Sequence, residues 1–147
     1  MDKRIDDFCQ GTAQKAILRQ IREQFLGELP VGMAFVLSMP ITRLPFVIAA
    51  PTMRIPSDVA GTLNAYLALR AVLVAVLHHN AQTERPIGSI AVPGLCTGVG
   101  RMPCSVAAQQ MRAAYDNILC GGWKDVLHPV MAPFAFGDKK MHWRETR

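Results

Sequence analysis

The sequence has few cysteines, few aromatic residues and no long apolar run. Its four cysteines, at positions 9, 96, 104 and 120, contain no C-x-x-C pair, so neither a disulfide framework nor a zinc knuckle is predicted. The longest apolar run, residues 65–77, is interrupted by Arg70 and is too short to cross a bilayer. The N-terminus carries charges of both signs instead of the apolar core of a signal peptide. We therefore expect a reduced, cytoplasmic protein that contacts no membrane.

The composition indicates a globular protein rather than a disordered one. Half of the 147 residues are apolar, and 16 basic residues face 11 acidic ones. This length and composition predict a single domain over residues 1–147. The basic residues are scattered along the chain except in the tail, without the basic stripe and interleaved aromatics of a nucleic-acid surface. Nucleic-acid binding is therefore not favoured, whereas the surplus positive charge suits a small anionic ligand.

The apolar periodicity predicts an α/β protein in which helices alternate with strands. Helices are predicted over residues 5–26, from Ser57 or Asp58 to about His79, and from Pro103 to Leu119. The runs 32–38 and 45–50 have strand length, and their link is too short for a crossover helix, so they are expected to form an antiparallel hairpin. A buried strand is predicted over 87–92. For the tail 121–147, the only element that the sequence predicts is an edge strand over 129–136, a position that Pro133 tolerates.

The loop between Pro93 and Met102 is the most informative segment for function. It carries Gly94, Gly98 and Gly100 between a predicted strand and a predicted helix. Glycines allow main-chain N–H groups to converge, and a helix N-terminus favours an anion. The pattern has neither the Gly-Lys-Ser/Thr of a P-loop nor the spacing of the dinucleotide fingerprint. Two interpretations stay open from spacing alone: a phosphate cradle, or a tight turn that is merely rich in glycine.

The segment 93–100, PGLCTGVG, resembles the diphosphate-binding loop of macro domains, the modules that bind ADP-ribose and its derivatives. The resemblance continues in segments 27–32, 47–54, 64–71 and 107–115, and so covers roughly residues 1–115. It implies a three-layer α/β/α fold that binds ADP-ribose or a related nucleotide diphosphate, without cofactor or metal. The ligand contacts that it implies are Pro51, Thr52, Gly94, Leu95, Cys96, Thr97, Gly98, Val99, Gly100 and Arg101. For the stretch from Thr52 to Arg54, a purely structural turn is an equally open interpretation.

The chain also departs from that family. Strands that precede the first helix in macro domains, with their adenine-contacting Asp and Asn-rich segment, have no counterpart, and Lys3 and Arg4 replace a glycine pair. The resemblance therefore implies a shortened domain with an incomplete mixed sheet. One missing strand would lie between those matching 45–50 and 87–92. Because unpaired main-chain groups in a buried layer are costly, we expect these two strands to pair directly, or to be bridged by a C-terminal segment or by a second chain in a homodimer.

No catalytic residue is assigned from the sequence. Cys96 is the one potential nucleophile in the loop, and a nearby helix N-terminus could lower its pKa. No histidine is near it in sequence, so a semi-buried structural side chain is the favoured interpretation. Three functions remain as hypotheses: ligand binding through main-chain amides with weak or absent catalysis, an ADP-ribosyl hydrolase or phosphatase, and a non-catalytic assembly scaffold.

Overall fold

The computed structural model describes residues 7–9, 11–41, 43–126 and 128. Within these ranges the α/β class is confirmed, with helices on both sides of a short sheet. In chain order the elements are α1 (Thr12–Gln24), β1 (Phe35–Ser38), β2 (Phe46–Ala49), α2 (Asn64–Gln82), α3 (Cys104–Ile118) and a 3₁₀ turn (Gly122–Asp125).

Helix α1 is shorter than the predicted helix over residues 5–26. Gly11 precedes it with a left-handed φ of +72°, a conformation that no helix residue adopts, so the expectation of one continuous helix is wrong. At the other end, Gly27 has a φ of +98°, and its N–H donates to the Ile21 carbonyl at 3.1 Å. This glycine therefore ends the helix as the sequence predicts.

The hairpin β1–β2 is antiparallel, as predicted, with a register from Phe35 opposite Ala49 to Ser38 opposite Phe46. Successive side chains of a strand point to opposite faces. Val47 accordingly packs in a cluster with Ala13 of α1, while Ile48 packs against the cluster that α2 and α3 form. The hairpin is thus the middle layer between helices, which confirms the layered α/β arrangement.

Helix α2 begins later than predicted. Ser57 and Asp58 do not cap it: the Asp58 carboxylate accepts the N–H of Ala60 at 2.9 Å, which makes a local turn. The helix itself starts at Asn64. Its first half is buried, and it packs against α3 in a core cluster made of Tyr66, Leu69, Val72, Leu73, Ala114 and Ile118.

The expected strand over residues 87–92 is wrong within the part of the chain that the structure describes. Ile90 and Val92 do pack against the α2–α3 cluster, but Gly88, Ser89 and Ala91 are exposed. A strand needs a neighbour for its main-chain groups, and β2 does not pair with this segment. Of the two expected arrangements, direct pairing between these stretches is therefore wrong among the described residues, and bridging by a further segment or chain stays a prediction.

Helix α3 confirms its predicted bounds to within one residue, with Pro103 before its first turn and Leu119 after its last. Gly121 follows in a left-handed conformation, with φ at +81°. The predicted edge strand over 129–136 lies outside the described residues, as does most of the predicted tail.

Candidate functional site: a cleft at the glycine-rich loop

A cleft of about 320 Å³ lies at the glycine-rich loop that connects segment 87–92 to α3. The loop forms one wall, and the chain that follows β2 forms the other. Its lining consists of Thr52, Met53, Pro56, Pro93, Gly94, Leu95, Cys96, Gly98, Val99 and Gly100. Two segments that are remote in sequence therefore meet here, as the position after two strand-like segments predicts.

Internal hydrogen bonds hold the loop in a compact bend. The Thr97 hydroxyl donates to the Gly94 carbonyl at 2.9 Å. The N–H groups of Arg101 and Met102 donate to the carbonyls of Gly98 and Cys96 at 3.0 and 3.1 Å. In each of these bonds the acceptor is a carbonyl oxygen of the loop. Three loop carbonyls are thus bonded within the bend, and none of these bonds uses an amide that precedes Arg101.

The main-chain amides of the loop before Arg101 have no internal partner in the described part of the chain. None of the main-chain N–H groups of residues 94–100 donates to an acceptor in the described part of the chain. A set of unpaired N–H groups in a glycine-rich bend is the usual way in which a main chain binds phosphate. Helix α3 begins directly after the loop, with no acidic residue in its first turn, so its partial positive charge is not cancelled locally.

Glycine is required at one of the loop positions, avoids a side-chain contact at a second and leaves open space at the third. A Cβ at Gly100 would lie 2.5 Å from the Cys96 carbonyl oxygen and 2.7 Å from Val59 Cγ2. A Cβ at Gly94 would lie 2.8 Å from the Thr97 hydroxyl. A Cβ at Gly98, by contrast, would meet nothing within 4 Å. Gly98 therefore adjoins open space at the cleft, whereas the other two glycines permit the bend itself.

The opposite wall is held by a side chain that sequence reasoning did not assign to the site. Asn64, at the start of α2, donates from Nδ2 to the Thr52 carbonyl at 2.8 Å. The guanidinium of Arg54, two residues further on, is engaged by the Glu28 carboxylate at 2.7 Å. The only sequence signal for the role of Asn64 was its place in a segment that resembles the macro family.

Cys96 lies at the base of the loop rather than at its surface. It has a left-handed φ of +65° and is 5% exposed. Burial raises the pKa of its thiol, and a hydrogen bond with the Thr52 side chain acts in the opposite direction. The thiol also contacts the Thr52 carbonyl oxygen, 4.0 Å from Sγ. Since the thiolate is the nucleophilic form, Cys96 is poorly suited to attack a substrate. This geometry agrees with the structural role that its sequence context favours.

The structure brings together seven of the ten predicted contact residues. The cleft is lined by Thr52, Gly94, Leu95, Cys96, Gly98, Val99 and Gly100. Pro51, Thr97 and Arg101 do not line it; Thr97 closes the loop instead, and Arg101 takes a left-handed φ of +53° beyond the bend. Met53, Pro56 and Pro93 line the cleft without having been predicted.

The described residues contain neither a metal site nor a membrane-spanning helix. Among the described residues, no group of three or more His, Cys, Asp and Glu side chains is placed to hold a metal ion. None of the described helices has the length and apolarity needed to cross a membrane.

A family model of the macro domain matches residues 1–111. The chain belongs to the macro domain family. The matched range includes the glycine-rich loop, Asn64 and the hairpin, so the cleft of this macro domain lies wholly within it. No curated protein and no solved structure matches the chain significantly. Membership supports the general expectation of a module that binds ligands of the ADP-ribose type.

Proposed function

We propose that this macro domain binds ADP-ribose or a related nucleotide diphosphate through the main-chain amides of Gly94 to Gly100. The observation that carries the proposal is the run of N–H groups over residues 94–100 that have no acceptor among the described residues. They belong to a loop that lines a cleft and leads into the N-terminus of α3. An anion at this position gains both the hydrogen bonds and the helix field.

Electrostatics support an anionic ligand. No Asp or Glu is among the residues that line the cleft, so a diphosphate would meet no repulsion from its walls. The chain has a net charge of +5, which raises the local concentration of an anion around the protein. We place this function in the cytoplasm, with nucleic acid not favoured as a partner.

We propose binding rather than turnover. A hydrolase or phosphatase needs a general base, a nucleophile or a metal near the scissile bond. The described walls of the cleft offer neither a carboxylate nor a histidine, and the Cys96 thiol has a raised pKa. A turnover assay on ADP-ribosylated protein is the direct check, and hydrolysis above background would replace this proposal with the enzymatic alternative.

Calorimetry with ADP-ribose tests the proposal, with the variant Gly98→Val as the decisive arm. Because a Cβ at Gly98 meets nothing within 4 Å, the valine should be tolerated by the fold while its methyl groups occupy space needed by the ligand. We expect binding of ADP-ribose and ADP by the wild type and an affinity at least about tenfold lower for Gly98→Val.

The matched control is Gly88→Val, where a Cβ also meets nothing within 4 Å but the residue lies outside the cleft lining. This variant should bind as the wild type does. If the wild type gives no heat at millimolar ADP-ribose while its circular dichroism shows a folded protein, the scaffold hypothesis is favoured and the binding proposal fails.

A further inference from the structure

The most buried polar side chain described in the molecule is Gln110, 1% exposed on α3. Its amide lies between two main-chain groups at the start of α2. Nε2 donates to the Thr62 carbonyl at 2.7 Å, and Oε1 accepts the N–H of Tyr66 at 3.2 Å. These two groups are four residues apart and would bond to each other in a regular helix. Gln110, on α3, thus replaces the hydrogen bond between Thr62 and Tyr66 with one bond to each of these two groups.

The turn that contains Thr62, residues 59–62, is hydrogen-bonded to the end of the glycine-rich loop. The N–H and hydroxyl of Thr62 donate to the Val59 carbonyl at 3.1 and 2.7 Å. The N–H of Val59 in turn donates to the Gly100 carbonyl at 2.9 Å. An unbroken chain of hydrogen bonds therefore runs from Gln110 to the loop.

Packing reinforces this connection. Val59 is buried in a cluster with Cys96 and Met102, at the two ends of the bend. Its Cγ2 is the atom that a Cβ at Gly100 would approach to 2.7 Å. A shift of Val59 would therefore move the main chain of Gly100 directly, because no flexible side chain lies between them to absorb it.

We propose that Gln110 is a positioning residue for the anion-binding loop: by bridging Thr62 and Tyr66, it fixes the turn through which Val59 holds Gly100. This inference rests on the proposed function of the loop. Gln110 lies outside the cleft lining, so its effect on a ligand would be transmitted through the hydrogen-bonded chain and the packing of Val59.

A carboxamide is suited to this position because it combines a donor with an acceptor. Gln110→Leu leaves a buried carbonyl and a buried N–H without partners, and the turn must move to satisfy them. Gln110→Glu keeps the acceptor, but it has a donor for Thr62 only when the carboxyl is protonated. The neutral form of a buried carboxyl is favoured by its surroundings and is lost as the pH rises. The two variants thus differ in pH dependence.

Asn117 supplies a matched control on the same helix. It is 3% exposed and donates from Nδ2 to the Tyr66 hydroxyl at 2.8 Å. Asn117→Leu also removes a buried amide between α3 and α2, but it leaves the bonds at Thr62 and Val59 in place. A residue that acts only through stability would therefore behave like Asn117.

The experiment measures the Kd of ADP-ribose by calorimetry at temperatures where every variant is folded. We expect the Kd to rise about tenfold in Gln110→Leu at unchanged stoichiometry and to stay near the wild-type value in Asn117→Leu. For Gln110→Glu, the ratio of its Kd to that of the wild type should increase between about pH 5 and about pH 9. Equal affinities of Gln110→Leu and the wild type, or an equal loss in Asn117→Leu, overturn the proposal.

A measurement without ligand tests the role of Gln110 independently of the proposed function. Amide hydrogen exchange of Val59 reports directly on its bond to Gly100. It should be about tenfold faster in Gln110→Leu than in Asn117→Leu. If the wild type binds no ADP-ribose, the proposed function fails, while this exchange ratio still decides whether Gln110 holds the loop. Equal exchange in both variants refutes that role. Should Gln110→Leu not fold, Gln110→Glu provides the same comparison across pH.

Discussion

At the level of one residue, the burial of Cys96 changes the pH range over which its thiol is protonated. Burial raises the pKa of its thiol, so the folded state keeps the proton at pH values where the unfolded chain has lost it. Its contribution to the free energy of unfolding is therefore complete below the ordinary thiol pKa, about 8.5 to 9, and is lost as the pH rises through the raised value. We expect Cys96→Ala to remove this part of the pH dependence, measured by urea unfolding between about pH 7 and about pH 10.

The control for this prediction is Cys104→Ala, since Cys104 is exposed. Its removal should leave the alkaline slope of the unfolding free energy as it is in the wild type. An unchanged slope in Cys96→Ala would show instead that the thiol is ionised without cost in the folded loop, and would reopen its candidacy as a nucleophile.

The loop residues also show what a sequence can predict at this scale. The glycines at 94, 98 and 100 could be recognised from the sequence because three glycines within seven residues mark a tight bend, and the close contacts at Gly94 and Gly100 agree with that. The places of Thr97 and Arg101 could not be predicted, because nothing in the pattern tells which polar residue closes the bend and which lines the cleft. Gln110 lay in a segment noted only for its resemblance, since the partners of a buried amide are set by tertiary contacts.

At the level of elements, Asn80 explains how the segment after α2 is held without a sheet. Its Oδ1 accepts the N–H of Ile87 at 2.7 Å, and its Nδ2 donates to the carbonyl of the same residue at 3.0 Å. A side-chain amide here bonds as a neighbouring strand would. Residues 88–92 have no such partner: their main-chain groups form no hydrogen bond with any residue in the described ranges.

We expect Asn80→Leu to release Ile87 from α2. Loss of the two bonds should lower the free energy of unfolding by about 1 to 2 kcal/mol and speed the amide exchange of Ile87, both of which are measurable on the purified chain. Gln82→Leu, at an exposed position on the last turn of α2, serves as the control and should change neither quantity. Slow exchange of Ile87 in Asn80→Leu would mean that another group holds this main chain.

The elements that were predicted correctly are those whose signals are local. The hairpin followed from two apolar runs and a short link, and α3 followed from Pro103 and its apolar face. The start of α2 could not be predicted, because Asp58 offers a cap that the chain uses for a turn, and because Gln110 from a distant helix decides the first bonds. Segment 87–92 has the composition of a strand, but pairing depends on a partner that composition does not specify.

At the level of the whole molecule, the described two-stranded sheet leaves an apolar cleft open beside segment 87–92. A second cleft of about 450 Å³ lies between α2, α3 and segment 87–92, with Leu73, Met111 and Tyr115 among its walls. Leu77 and Leu119, which also line it, are 45% and 47% exposed. Apolar side chains next to a main chain that has no hydrogen-bond partner among the described residues are the features that an added strand would cover.

We therefore predict that residues 88–92 are paired in solution by a further strand, either from the C-terminal segment of this chain or from a second copy in a homodimer. Hydrogen exchange followed by mass spectrometry on the peptide that spans 87–92 should show protection far above the rate of an unstructured chain, because strand pairing removes these amides from water. Protection that rises with protein concentration, together with a dimer in sedimentation, identifies the second copy, whereas constant protection in a monomer identifies the C-terminal segment. A monomer whose peptide exchanges at the unstructured rate contradicts the prediction, and would mean that Asn80 and the packing of Ile90 and Val92 alone stabilise this side of the fold.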